Sequence, residues 1–222
     1  MTSSIRTYVC EDDHRLRAHL CRLLEAAPDI DLAGNASSAE EAEAALTLAL
    51  TKEPGAVDVL LLDLELPGMD GITLCGRLPG PPVGPEVLIL TTFADADKVF
   101  KAVRLGAAGY LVKGVPADKL LAAVREVAEG GTVIEPRLAK RFWNLFDASR
   151  GQQGADSLGL TEDEITVLNL VARGLTNPEV GHTLGTTRRR VKGHLESVYR
   201  KLGVTSRVEA VLKATAAGLV DL

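Results

Sequence analysis

Three carboxylates, a hydroxyl and an ammonium stand at comparable places in the first half of the chain. Asp12 and Asp13 follow one short apolar run, Asp63 ends another, Thr91 ends a third, and Lys113 follows a fourth. Adjacent carboxylates repel unless a cation neutralises them, and Mg²⁺ accepts a few carboxylate oxygens while keeping waters and a substrate phosphate in its octahedron. An aspartate can also attack phosphorus as a nucleophile and become an aspartyl phosphate. Taken singly, an aspartate at a strand end is better explained as a turn or cap residue. The chemistry depends on a fold that brings them to one place.

The elements between them supply such a fold. Strand-like runs at 5–10, 30–34, 58–63, 86–91 and 108–112 alternate with helical patterns at 15–26, 39–51, 71–77, 95–105 and 118–129. Ser38-Ala39-Glu40-Glu41 opens the second helix with a capping-box pattern. Val59-Leu60-Leu61-Leu62 is apolar throughout, as a central parallel strand covered on both faces requires. The spacing predicts an α/β (βα)5 unit with a doubly wound parallel sheet, in which ligands bind at the carboxyl ends of the strands. All five polar residues fall at that end. The proline-rich segment 79–85 cannot continue the third helix and reads as an extended connector.

The chain of 222 residues is long enough for two small domains. Its 46% hydrophobic and 25% charged content excludes wholesale disorder and a collagen-like repeat. No apolar run approaches the roughly 18 residues of a membrane span, and the first residues lack the regions of a signal peptide, so a cytoplasmic protein without membrane contact is expected. Cys10, Cys21 and Cys75 show no metal-ligand spacing and fit reduced thiols rather than disulfides or zinc.

After Gly130-Gly131 comes an amphipathic stretch at 137–146, then the small polar residues of 149–157. The expected division is 1–130, a linker with a helix over 131–157, and an all-α unit over 158–222. Thr161-x-x-Glu164 and Ser206-x-x-Glu209 match the capping box, Asn177-Pro178 offers an N-cap followed by proline, and Thr187 caps a further helix. From Ser157 onward there are 9 Lys+Arg against 7 Asp+Glu, a charge of +2; the remaining 16 and 23 leave −7 in front.

On a helix over 188–202, Val191, Leu195, Val198 and Leu202 share an apolar sector, while Arg189, Lys192, Gly193, Glu196 and Arg200 share the opposite one. Arg188, Arg189 and Arg190 occupy the first turn, where the helix dipole disfavours cations by roughly 0.3–1 kcal/mol each. A polyphosphate backbone would compensate them; an exposed turn made soluble by arginines is the plain alternative.

Residues 5–129 resemble a response-regulator receiver domain, through Glu11-Asp12-Asp13-His14, the segment from Asp58 to Gly71, Leu90-Thr91-Thr92 and Gly109-Tyr110-Leu111-Val112-Lys113. The resemblance implies a flavodoxin-like fold, a phosphoryl group accepted by Asp63 from a histidine kinase, and Mg²⁺ held by Asp12, Asp13, Asp63 and the Glu65 backbone carbonyl. Thr91 and Lys113 would bind the phosphoryl oxygens, and Thr91 with Tyr110 would couple phosphorylation to the face of the fourth helix and fifth strand. Plain packing is the alternative for Tyr110, and solvation the favoured reading of His14. By the same resemblance the Glu65 side chain would stand near the site mouth, where it could repel the phosphoryl group or orient a hydrolytic water.

Residues from Leu160 to Val204 resemble the LuxR-type helix-turn-helix, and both domains together the NarL/FixJ family of response regulators. The implied function is a transcription factor, not an enzyme, whose receiver restrains the helical domain until phosphorylation promotes dimerisation and binding to double-stranded DNA. The Thr187-capped helix would enter the major groove, with Arg188, Arg189, Arg190, Lys192, Gly193, Glu196 and Arg200 towards DNA. Arg190 stands where the family usually has threonine, and Glu196 could accept from cytosine N4. The stripe Val208, Val211, Leu212, Thr215 and Leu219 would pair two copies in a homodimer, a core-only role being the alternative. Two rival functions stay open: a receiver that responds to a ligand or partner without phosphorylation, and a Mg²⁺-dependent phosphohydrolase using Asp63.

Overall fold

The computed structural model describes residues 4–81, 83–92, 96–133 and 159–220. The 137–146 stretch and the 149–157 linker lie outside them. The front unit runs β1 (Ile5–Cys10), α1 (His14–Glu25), β2 (Ile30–Ala36), α2 (Ala39–Lys52), β3 (Val59–Asp63), α3 (Gly71–Arg77), β4 (Glu86–Thr91), α4 (Ala96–Arg104), β5 (Ala107–Val112) and α5 (Ala117–Ala128). The strands form one parallel sheet in the order β2-β1-β3-β4-β5. Chain order reverses between β1 and β3, which places the ligand crevice above those two strands.

The apolar run of β3 divides as its pleat dictates. Leu60 and Leu62 pack with Leu46, Leu74, Val99 and Tyr110 on the α2–α4 face, whereas Val59 and Leu61 pack with Leu20, Leu24, Val124 and Val127 on the α1–α5 face. Each such side chain contributes on the order of 1.5–3 kcal/mol by leaving water. Ser38 caps α2 through a hydrogen bond from Glu41 N, as the capping pattern predicts.

The helical unit comprises α6 (Glu162–Ala172), α7 (Asn177–Thr183), α8 (Arg188–Leu202) and α9 (Arg207–Ala216). Val191, Leu195, Val198 and Leu202 form the buried face of α8, and Gly203 ends it in the left-handed conformation. Thr161 and Glu164 complete a capping box at α6. At α7 the cap is one residue earlier than expected. Thr176 sends its backbone N–H and hydroxyl to Glu179 Oε2, at 2.7 and 2.9 Å, and Asn177 is the first helical residue. The Asn177 carboxamide is drawn away to Arg207.

The two units touch. Ser206 Oγ donates to Val103 O at 3.2 Å, Arg207 Nη1 to Gly130 O at 2.6 Å, and Arg188 Nη2 to Ala128 O at 2.6 Å. Among the described residues no helix is long and apolar enough to cross a membrane.

Candidate functional site

Asp63 is the last residue of β3 and is 2% exposed. Its Oδ1 accepts a hydrogen bond from Glu65 N at 3.1 Å, and its Oδ2 lies 2.8 Å from Lys113 Nζ. Lys113 extends past β5 with its own N–H on Thr91 O at 2.7 Å, so the sheet ladder sets its position. Thr91 ends β4 and is buried, one residue beyond Leu90, the register partner of Asp63. The structure thus brings Asp63, Thr91 and Lys113 to the same rim of the sheet.

Lys113 also lies 2.8 Å from the Glu11 carboxylate. Glu11 follows β1 directly, is 1% exposed, and keeps the strand line through a hydrogen bond from its N–H to Ala36 O. Ligand oxygens of Glu11, Asp12 and Asp63 all lie within 4.8 Å of one another. Burial pushes the Glu11 carboxyl up, and Lys113 opposes that shift through its hydrogen bond. Burial pulls the Lys113 ammonium down, but hydrogen bonds to Asp63 and Glu11 outweigh it and leave the group raised and charged.

Asp13, expected as a metal ligand, stands outside the converging group of Glu11, Asp12 and Asp63. It is the N-cap of α1 and accepts from Arg15 N and Leu16 N at 2.8 and 2.9 Å. Those two hydrogen bonds hold its carboxyl below the ordinary range. The acidic group that joins Asp12 and Asp63 is Glu11, two residues earlier. Because α1 begins at His14 rather than residue 15, Asp13 falls at the cap, a position where aspartate satisfies orphan N–H groups. Arg17, one turn into α1, donates from Nη1 to Glu11 O at 2.6 Å and Asp12 O at 3.2 Å, which clamps the acidic loop.

The Glu65 side chain is exposed at the mouth of the site. It accepts from Lys98 Nζ and Thr92 Oγ1, both at 3.2 Å, and these partners, Lys98 first, lower its carboxyl. His14 is exposed, in line with its solvated reading. Gly71 N donates to Leu64 O at 3.1 Å, and a β-carbon at residue 71 would overlap the Asp63 carbonyl oxygen. Tyr110 is 0% exposed in the α2–α4 face of the core.

On the helical unit, Thr187 caps α8 through its hydroxyl, which accepts from Arg190 N. The polar residues of α8 divide. Arg189, Arg190, Gly193 and Arg200 are exposed, whereas Lys192 and Glu196 are half-buried and line a cavity against the front unit, with Arg188 beside them. One edge of the expected DNA face is therefore covered.

The stripe on α9 does not form one open face. Ala210 and Ala214 carry the core-facing line at 0% exposure, so the larger apolar residues are turned to the flanks. Val211 and Leu219 pack on the helical core, Val208 packs against the front unit, and Leu212 and Thr215 are half-buried.

Residues 7–125 match the family described as response regulator receiver domain, and residues 158–214 match that described as bacterial regulatory proteins, luxR family. The chain is 34% identical over 217 residues to the transcriptional regulatory protein LiaR of Bacillus subtilis, covering 98% of this chain and 100% of that one. It is 32% identical over 207 residues to the nitrate/nitrite response regulator protein NarL of Escherichia coli K12, covering 93% of each. Among solved structures, the response regulator ChrA of a heme-sensing two-component system is similar at 33% identity and a TM-score of 0.51, covering 98% of this chain and 99% of that one. A buried aspartate beside a lysine at the strand ends, joined to a helical unit of luxR type, agrees with both matches, and the chain belongs to the NarL/FixJ family of response regulators.

Proposed function

We propose that Asp63 accepts a phosphoryl group from a histidine kinase, and that this modification governs the binding of α8 to double-stranded DNA. The observation that carries this reading is the placement of Asp63 Oδ2 2.8 Å from Lys113 Nζ at the rim of a sheet whose other acidic groups stand alongside. In the transfer, an Asp63 oxygen bonds to phosphorus as the bond from phosphorus to the kinase histidine nitrogen breaks. Lys113 and Thr91 receive the phosphoryl oxygens, and the Glu65 N–H holds the acceptor carboxylate in its orientation.

The residues present fit Mg²⁺. Glu11 is buried with its Oε2 2.8 Å from Lys113 Nζ, and carboxylate oxygens of Glu11, Asp12 and Asp63 lie within 4.8 Å of one another, an anionic oxygen donor set suited to a hard divalent cation. Glu11, Asp12 and Asp63, with the Glu65 backbone carbonyl, would hold it; when bound it would supply positive charge against the phosphoryl oxygens. The side chain of Glu65 bears on the reverse reaction. Glu65→Ala removes a carboxylate that repels the phosphoryl group and can orient water, so the phosphorylated form should decay severalfold more slowly in purified protein. An unchanged decay rate would exclude Glu65 from that role.

Binding to DNA follows from α8. Arg188, Arg189, Arg190, Lys192 and Arg200 supply cations, and Thr187, Gly193 and Glu196 lie on the same approach face. Each phosphate neutralised by Lys or Arg releases counterions, so affinity should fall steeply as salt is added, and replacing Arg189 and Arg190 by alanine should flatten the slope by about 2 in a plot of log affinity against log salt. A slope unchanged by the double substitution would place the contacts elsewhere. Phosphorylation would pair two copies through the stripe Val208, Val211, Leu212, Thr215 and Leu219, once Val208 leaves the receiver side. The parts are then a receiver at 1–130, a linker at 131–157 and a DNA-binding domain at 158–222 of a cytoplasmic regulator with no enzymatic turnover of its own. Incubating the full chain with Mg²⁺ and a small phosphodonor, then measuring label, oligomer size and duplex affinity, tests the whole scheme. Multiple turnover would favour a phosphohydrolase, and absence of label a ligand-responsive module.

A further inference from the structure

Apart from the acidic crevice at the carboxyl ends of the strands, a second set of charges gathers at their amino ends. There a cavity of about 90 Å³ lies between the receiver and the helical domain. Glu86 opens β4 at this place, with its N–H on Asp58 O at 2.9 Å; it is half-buried and lines the cavity. Around it stand Asp58 from the receiver, Arg188, Lys192, Glu196 and Tyr199 from α8, and Arg207 from α9.

These neighbours enclose Glu86 without satisfying it. Arg207 directs its donors to Gly130 O, Asn177 Oδ1, Val171 O and Leu175 O, and Arg188 directs one to Ala128 O. Among the described residues no group donates a hydrogen bond to the Glu86 carboxylate. Lys192 and Arg207 attract its charge at longer range, but burial outweighs both and pushes the carboxyl up to about 7. The Tyr199 phenol is raised, by burial first, and stays neutral. Burial lowers the Arg207 guanidinium, which nevertheless stays charged. Glu126 on α5 is also raised, by burial and then by Glu179 and Glu129, so its charge opposes closure in the same sense.

We propose that Glu86 is a proton-operated latch between the two domains: protonated, it allows α8 to stay against the receiver; ionised, it destabilises that closure and frees α8. The link to DNA rests on the assignment of α8 made above; the latch itself does not. Opening the interface returns Glu86 to water, where a glutamate titrates near about 4.3. Between that value and about 7 the closed form holds a proton that the open form lacks. Raising the pH through this window therefore weakens closure by up to tenfold per unit, and above it both forms are ionised and the proton's contribution is gone.

Small-angle X-ray scattering of the unphosphorylated full chain at about pH 6 and about pH 7.5 tests this. The open-to-closed ratio of the wild type should rise roughly five- to tenfold across the interval. Glu86→Gln, neutral throughout, should stay compact at both values. An equal response in the two proteins, or none in the wild type, would overturn the latch. Carboxyl carbon NMR of the folded wild type gives an independent reading that needs no variant, and a Glu86 titration midpoint at its ordinary value in the compact form would also overturn it. A random-sequence duplex supplies the second arm: affinity should rise with pH in the wild type and not in Glu86→Gln. The expected scattering with a pH-independent duplex affinity would keep the latch and remove α8 from the DNA interface.

Discussion

Asp63→Asn should carry no phosphoryl group after incubation with Mg²⁺ and a small phosphodonor, as read by intact-protein mass spectrometry, and its duplex affinity should be the same with donor as without. Asparagine preserves the shape of the side chain and its acceptor oxygen, so the hydrogen bond from Glu65 N survives. What it loses is the nucleophilic carboxylate and the ion pair with Lys113. Lys113 keeps Glu11 as a partner at 2.8 Å, so the substitution leaves no ammonium stranded in a buried place. The variant should fold, and its far-UV circular dichroism should match the wild type. Wild-type levels of label on Asp63→Asn would move the acceptor to another side chain, Asp12 being the exposed member of the cluster.

Glu11→Gln should produce two effects of opposite sign. Without metal, Glu11 and Asp63 share Lys113, with Asp12 alongside, and burial already raises the Glu11 carboxyl. A carboxyl raised in the folded state binds a proton more tightly there than in the unfolded chain. Its contribution is therefore intact at low pH and is lost as pH rises through the window between the two values. The glutamine variant escapes that loss, so above the window the metal-free protein should be more stable than wild type by about 1 kcal/mol. Metal affinity should fall by tenfold or more, because one anionic donor is gone. Thermal melts with and without Mg²⁺ read both at once: a higher melting temperature without Mg²⁺ and a smaller gain on adding it. A variant with the wild-type gain would remove Glu11 from the donor set.

Much of this arrangement was legible in the chain because the parallel sheet leaves strong marks. The unbroken apolar run of β3 and the polar residue ending each strand set Asp63, Thr91 and Lys113 at one rim. In the acidic loop the converging carboxylates lie one position earlier than expected, for a specific reason. Glu11, Asp12 and Asp13 are consecutive and chemically alike, and only the first residue of α1 decides which of them caps the helix. Asp followed by three residues that continue into a helix is itself a cap signal, and it outweighs proximity to the other acids. Thr176 shows the same lesson, since Glu179 at the third helical position points back to a threonine and not to Asn177.

Other features had no local signature. Glu86 reads as the first residue of a strand, and only the approach of α8 and α9 sets it beside a second domain. Ser206, placed as a cap, also donates to Val103 O from across the domain boundary. The α9 stripe was read from large side chains, whereas the small Ala210 and Ala214 lie closest to the core. Docking between domains depends on the relative placement of distant segments, which periodicity within one helix does not encode.

The close approach of α3 to the end of β3 has a consequence for inheritance. Residue 71 has no room for even a methyl group against the Asp63 carbonyl oxygen. An alanine allele at this codon would displace the acceptor's backbone while every charged group of the crevice kept its identity. Such a lesion would silence the pathway yet look conservative in any comparison of side-chain chemistry.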